Sequence, residues 1–209
     1  MPPRSRATVA KPAKIPPAER ILAAAEELFF TQGFKGTSVR DITAASGLTP
    51  AALYNHFPSK EEVLFTLVSR ATDEGERMLN DAVAAAAADP ESQLRALAYA
   101  SALFHARHRA SAMIATFEYV HLPEAQRAVI VERRRGLRTR LERTLEHGVR
   151  SGVFELPAMR GDATKLTATA IVNLVLRATE FFGPFPAVKD EELAGLHADL
   201  ACRMVLARY

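Results

Sequence analysis

The stretch "TPAALYNHFPSKEEVL", Thr49 to Leu64, contains two helix starts in immediate succession. Thr49 is a capping residue, and Pro50 follows at the first helical position, where its missing N–H would have no partner anyway. Small residues, Ala51 and Ala52, and the cluster Tyr54-Asn55-His56 come next. Pro58 then stops the helix, because a residue preceding proline resists helical geometry. Ser59 starts another, with Glu62 three positions on as in a capping box. What surrounds the stretch explains why a helix should start, stop and start again so quickly.

Upstream, Pro16-Pro17 opens a first helix with Ile21, Leu22, Ala25, Leu28 and Phe29 on one face and Gly33 as its stop. Thr37 is expected to cap a second helix reaching to about Ser46, with Val39 and Ile42 inward and Gly47 ending it. Two short helices joined at "SGLT" match the helix-turn-helix pattern, whose second helix lies in a DNA major groove. Gly47 supplies the permissive backbone for the steep turn, and Leu48 and Leu53 can fasten the unit to Phe29 and Phe34.

Helix starts present unpaired N–H groups and partial positive charge to phosphate, and three occur here, near Thr37, Thr49 and Ser59. Tyr54, His56 and Lys60 add a hydroxyl, a ring N–H and an ammonium suited to backbone phosphate. Pro50, Ala51 and Ala52 offer apolar contact to thymine methyls, Asn55 suits adenine and Arg40 suits guanine. With so thin a direct code, shape readout and a basic arm are expected to contribute. Taken alone, these residues also fit a tight helical hairpin with a polar exterior.

Residues 20–67, "RILAAAEELFFTQGFKGTSVRDITAASGLTPAALYNHFPSKEEVLFTL", resemble the DNA-binding region of the tetracycline-repressor (TetR) family throughout. The pattern "F..GF.GTSV..IA..SG.....LY.HF.SKE.L" is nearly complete, with Thr43 where the family often has Ala. The resemblance implies phosphate contacts at Thr37, Tyr54, His56 and Lys60 and base-edge contacts at Arg40, Pro50, Ala51 and Ala52. Asn55 stands where the family varies, so its role stays open. It further implies a C-terminal region that binds a ligand and forms a dimer.

Beyond residue 64 the apolar residues keep helical spacing between clusters of Gly and Pro, and no alternating strand is evident. The chain therefore reads as all-α with about nine helices: a disordered basic arm at 1–15, a three-helix helix-turn-helix domain at 16–64, and a helical ligand-binding and dimerisation domain at 65–209. Helices are expected from Ser59 through the alanine run at 84–88, then at 90–107, 110–120, 124–151, 162–182 and 191–207. The helix at 162–182, with Leu166, Ala170, Ile171, Leu174, Val175, Ala178, Phe181 and Phe182, is apolar almost all round and should be buried on two sides. Together with Leu193, Leu196, Leu200, Met204 and Val205 of the last helix it would form a four-helix contact with a second copy.

Candidate ligand residues lie in that C-terminal part. Phe104, His105 and His108 project near Leu94, Leu97 and Ser101, while Met113 and Phe117 are one turn apart; ordinary core packing accounts for such a stripe equally well. Projection from Ile130, Leu137, Leu141 and Leu145 puts Arg134 beside the apolar stripe and Arg133 at its edge, so Arg134 either snorkels to solvent or meets an anionic ligand. Asn173, Arg177 and Glu180 share a face, as a pair at the dimer rim or as ligand-orienting groups. Residues 121–155, "HLPEAQRAVIVERRRGLRTRLERTLEHGVRSGVFE", loosely resemble TetR-type regulators of lipid and acyl-CoA metabolism through a Leu-Pro, an Arg-rich helix and the exit Gly148, Gly152, Phe154; the likeness implies an acyl-CoA effector.

Other classes find little support. There is no Gly-rich phosphate loop, nucleophile elbow or carboxylate-histidine set with convincing spacing. His105 and His108, with Glu118 and His121 nearby, could be imagined as a metal site but lack a supporting motif, so no catalytic role, cofactor or metal is expected. Roughly 140 residues beyond the head are more than an architectural DNA binder needs for dimerisation. Arg4, Arg6, Lys11 and Lys14 fall in the first sixteen residues with no acid, exceeding the net +3 of the whole chain, and Pro2, Pro3, Pro12 and Pro16 keep that arm unfolded. Cys202 alone excludes an internal disulfide and fits a reducing cytoplasm, and no apolar run reaches membrane-spanning length. The sequence thus predicts a cytoplasmic regulator whose partners are a double-stranded DNA operator, a small-molecule effector and a second copy of itself.

Overall fold

A computed structural model describes residues 15–178 and 188–206. The basic arm, apart from Ile15, lies outside the described residues, as do Glu180, Phe181, Phe182 and the "GPFP" break. Nine α-helices run through the rest: α1 Pro17–Gly36, α2 Val39–Ser46, α3 Pro50–Tyr54, α4 Lys60–Ala85, α5 Pro90–Arg107, α6 Arg109–Phe117, α7 Glu124–Arg150, α8 Ala163–Leu176 and α9 Asp190–Arg203. A 3₁₀ turn, Glu118–His121, links α6 to α7, so the helix expected at 110–120 ends early and tightens. No β-strand occurs among the described residues; Phe154 and Leu206 form an isolated bridge.

Local chemistry sets most boundaries. Pro17, Pro50 and Pro90 each occupy a first turn, Thr49 accepts a hydrogen bond from Ala52 N at 3.2 Å, and Asp89 accepts one from Ser92 N at 2.8 Å. Gly47 ends α2 in the left-handed region at φ 64°, and Arg20 donates to the carbonyls of Ser46 and Gly47 behind it. Gly33 at φ 73° breaks α1 before its last residues.

Two capping expectations are corrected. Ser38, not Thr37, caps α2: its hydroxyl accepts from Asp41 N at 3.2 Å while Asp41 accepts from Ser38 N at 2.8 Å, a complete capping box. Thr37 is buried, and its hydroxyl donates back to Gly33 O at 2.9 Å. Ser59 caps α4 by accepting from Glu62 N, but the Glu62 carboxylate accepts instead from Gln126 of α7 at 2.7 Å, leaving that box half made.

Buried side chains gather in two clusters. The first joins Ile21, Phe29, Phe34, Ile42, Leu53 and Phe57 of the head to Val63, Leu64 and Val68 of α4, and continues to Ile114 and Ile130. The second joins Leu79, Leu94, Leu97, Leu141, Leu145, Ile171 and Val175 to the inner face of α9. Each fully buried Phe or Leu contributes about 1.5–3 kcal/mol. Since α4 takes part in both clusters, the head is seated on the helix that also walls the body.

At the exit of α7, the Phe154 ring occupies the place where a side chain at position 148 would stand; a Cβ on Gly148 would lie 1.9 Å from it. Phe154 is buried and cannot swing out freely. Gly148→Ala is therefore expected to cost about 1–3 kcal/mol through overpacking despite the better helix propensity of alanine. The midpoint in scanning calorimetry should fall by several degrees; an unchanged midpoint would show that the ring can move aside.

Candidate DNA-binding face and effector cavity

Packing decides which head residues face outward. Leu53 and Phe57 plug α3 into the head core, which leaves Thr49, Pro50, Ala51, Tyr54, Asn55 and His56 exposed and Ala52 half-buried. On α2, Ile42, Thr43 and Ser46 turn inward and Arg40 outward. The exposed rim thus presents one guanidinium, one phenol, one imidazole and one amide around small apolar residues, with the exposed Lys35 on the α1 side.

Thr37 and Lys60 sit differently from the other head candidates. The Lys60 ammonium donates to Phe34 O at 2.7 Å and Thr37 O at 2.8 Å and lies 3.9 Å above the Phe34 ring. Both residues thereby close the end of α1. Sequence reasoning missed Ser38 as a cap, although "SVRD", Ser38 to Asp41, carries the capping-box spacing that would have found it.

Between α4, α5, α6, α7 and α8 lies a largely apolar cavity of about 250 Å³. Small residues make the space: Ala71 and Gly75 on α4, Ala112 and Ala115 on α6. Leu79, Phe104, Leu137, Val172 and Leu176 supply most of the apolar wall. Of the candidates named from sequence, Phe104, His105 and Arg134 line it. His108 stacks on Phe104 at 5.3 Å but faces a separate cleft near α1, with Glu26 and Ser111. Met113 and Phe117 do not line it, because Ala112, Ala115, Thr116 and Tyr119 occupy the inward positions at helical spacing. Asn173 on α8 and Arg177 just past its end are exposed, one residue out of phase with the inward Val172 and Leu176. Thr72, Glu76 and Tyr119 were not identified from sequence.

Polar groups on the cavity wall are Thr72, Glu76, Ser101, Thr116 and Arg133 beside His105 and Arg134. The buried His105 donates from Nδ1 to Ser101 O at 2.8 Å. Burial pushes its pKa down against that bond, and the Arg134 charge lowers it further, so the ring is neutral with its acceptor lone pair on Nε2. Arg134 donates to Ala115 O, and its guanidinium lies 4.5 Å from the Tyr119 ring centre. Burial pushes its pKa down, yet a guanidinium keeps its proton at neutral pH. Tyr119, Arg134, Leu137, Val172 and Leu176 also border an adjoining outer cleft that adds Arg135 and Arg138.

An exposed short helix after a glycine turn, seated on a helical body with an internal cavity, defines a helix-turn-helix regulator. The family model for bacterial regulatory proteins of the tetR family matches residues 21–67, and that for the tetracyclin repressor-like C-terminal domain matches 87–205. The chain belongs to the TetR family of transcriptional regulators. It is 30% identical to the HTH-type transcriptional repressor KstR2 of Mycobacterium tuberculosis over 64% of this chain and 67% of that one. Another curated relative is matched over 35% of its own length. A tetR-family regulatory protein of Rhodococcus RHA1 superimposes with a TM-score of 0.80 at 28% identity, covering 93% of this chain and all of that one. AibR, solved with isovaleryl coenzyme A and operator DNA, superimposes with a TM-score of 0.76 at 26% identity over 88% of this chain and 97% of that one. No helix among the described residues is long and apolar enough to cross a membrane.

Proposed function

We propose that the protein is a homodimeric transcriptional repressor that leaves a palindromic operator when a small apolar or acyl-type molecule, such as an acyl-CoA, enters the cavity. In this reading residues 16–64 read DNA, residues 65–209 bind the effector and the second copy, and residues 1–15 follow the neighbouring phosphates. The exposed rim from Thr49 to His56 carries the reading, because its small and hydrogen-bonding groups have no role in the core they surround. The isovaleryl coenzyme A of AibR supports an acyl-type effector.

Two reading helices enter successive major grooves only when they stand about one helical turn, ~34 Å, apart. An effector acts by binding better to a dimer with another spacing, each tenfold of differential affinity being worth ~1.4 kcal/mol. Two links connect the cavity to the head. α4 lines the cavity at Thr72 and Gly75 and begins at Lys60, which donates to Phe34 O and Thr37 O of the head; Tyr119 touches the cavity while its neighbour Glu118 accepts a hydrogen bond from Phe34 N at 3.1 Å.

Operator fragments selected from genomic DNA, compared with scrambled duplexes by fluorescence anisotropy, test the reading. Tyr54→Phe is expected to weaken both duplexes alike by several-fold, the loss of one hydrogen bond to charged phosphate. Ala51→Leu should instead change which fragments are selected, by clash with the base edges. Equal affinity of the wild type for operator and scrambled DNA at physiological salt would favour an architectural binder.

A further inference from the structure

The arginines of α7 that neighbour Arg134 are matched to acids. Arg133 pairs with Asp73 at 3.1 Å, Arg135 with Glu132 at 2.7 Å and Arg138 with Glu142 at 3.7 Å. Arg134 is the most enclosed of these four, and among the described residues it has no carboxylate within ion-pairing distance. Its partners are one carbonyl, that of Ala115, and the face of the Tyr119 ring.

A charge removed from water without a counter-ion is destabilising, and an apolar side chain of similar length would fill the same wall at no such cost. A guanidinium has five N–H donors in a planar fork. With one group given to Ala115 and the plane set by Tyr119, enough donors remain for a bidentate anion. Ala71, Leu79, Phe104 and Val172 offer aliphatic and aromatic surface to a chain, while Glu76, which also lines the cavity, makes no ion pair with Arg134 and is balanced on that wall by Arg133.

We infer that Arg134 is the anion anchor of this cavity, and that the ligand is an amphiphilic anion with its aliphatic chain inside and its charged head on the guanidinium. The inference rests on reading the cavity as the effector site. The head is either the carboxylate of a free acid or the phosphate of a coenzyme A thioester reaching the outer cleft, where Arg135 and Arg138 stand.

The full chain, as wild type, Arg134→Met and Arg134→Lys, is titrated calorimetrically with short- and medium-chain fatty acids, their neutral amides and their coenzyme A thioesters. Thermal unfolding and operator binding are measured on the same samples. The wild type is expected to bind acids or thioesters at least tenfold more tightly than the amides. Arg134→Met should lose that preference and Arg134→Lys keep part of it. Without ligand, Arg134→Met should melt close to the wild type, because removing a charge held away from water without a counter-ion offsets the lost Ala115 bond and Tyr119 contact. Whether acids or thioesters bind identifies the head.

Unaltered binding of the anions to Arg134→Met overturns the inference, as does binding of none of them to the wild type. Release of the operator by a neutral amide would also overturn it while leaving the cavity as the effector site. Failure of the wild type to bind any DNA would instead strike at the regulator reading.

Discussion

Replacing Leu196 and Leu200 together by glutamate is expected to give a monomer that binds operator DNA at least a hundredfold more weakly. On α9, Leu193, His197 and Ala201 are buried against the body, whereas Leu196 and Leu200, and Met204 just past the helix end, spaced four apart, are 53%, 39% and 42% exposed. Leu166 of α8 is 53% exposed as well. A stripe of leucines left outside a core already complete suits a two-fold contact, in which every side chain is used twice. At about 1.5–3 kcal/mol per buried leucine, the two substitutions remove roughly 6–12 kcal/mol from such an interface before any charge repulsion. Joining two half-site contacts in one molecule is worth about 10²–10⁴ in affinity, and a monomer forfeits it. Sedimentation would report the state and circular dichroism the retained helices; a double variant that stays dimeric would place the contact elsewhere.

How much of this was legible in the sequence varied with how local the cause was. Helix starts at Pro17, Pro50 and Pro90 and the turn at Gly47 follow from a residue and its immediate neighbours, so their positions could be read directly. Thr37 and Ser38 both carry hydroxyls, and only the Asp41 carboxylate three residues after Ser38 decides which one caps. Arg134 could be placed by projecting angles from Leu137 and Leu141, because one helix face suffices for that. The cavity itself was poorly legible: it is a space left by Ala71, Gly75, Ala112 and Ala115, while the conspicuous Met113 and Phe117 stripe lies outside it. Bulky side chains advertise a face, but small ones make room.

Lys60→Met is expected to lower the thermal midpoint by on the order of 10 °C and to weaken DNA binding at least tenfold without changing its salt dependence. Sequence resemblance gives Lys60 to phosphate. In the folded chain its ammonium spans two carbonyls, Phe34 O and Thr37 O, at the end of α1 and covers the Phe34 ring. Cations are favoured at a helix C-terminus, hydrogen bonds from charged donors contribute about 1.5–3 kcal/mol each, and a cation–π contact adds about 0.5–2 kcal/mol. Loss of several kcal/mol in a chain of this size moves the midpoint by ~2–4 °C for each. DNA affinity falls indirectly, because the same carbonyls hold the junction between α1 and α2 on which the reading helix rests. A phosphate contact has another signature: removing one lysine from DNA reduces the slope of log affinity against log salt by about one, with little effect on stability. Melting curves and a salt series on Lys60→Met therefore separate the two roles, and a reduced slope with an unchanged midpoint would return the ammonium to the phosphate.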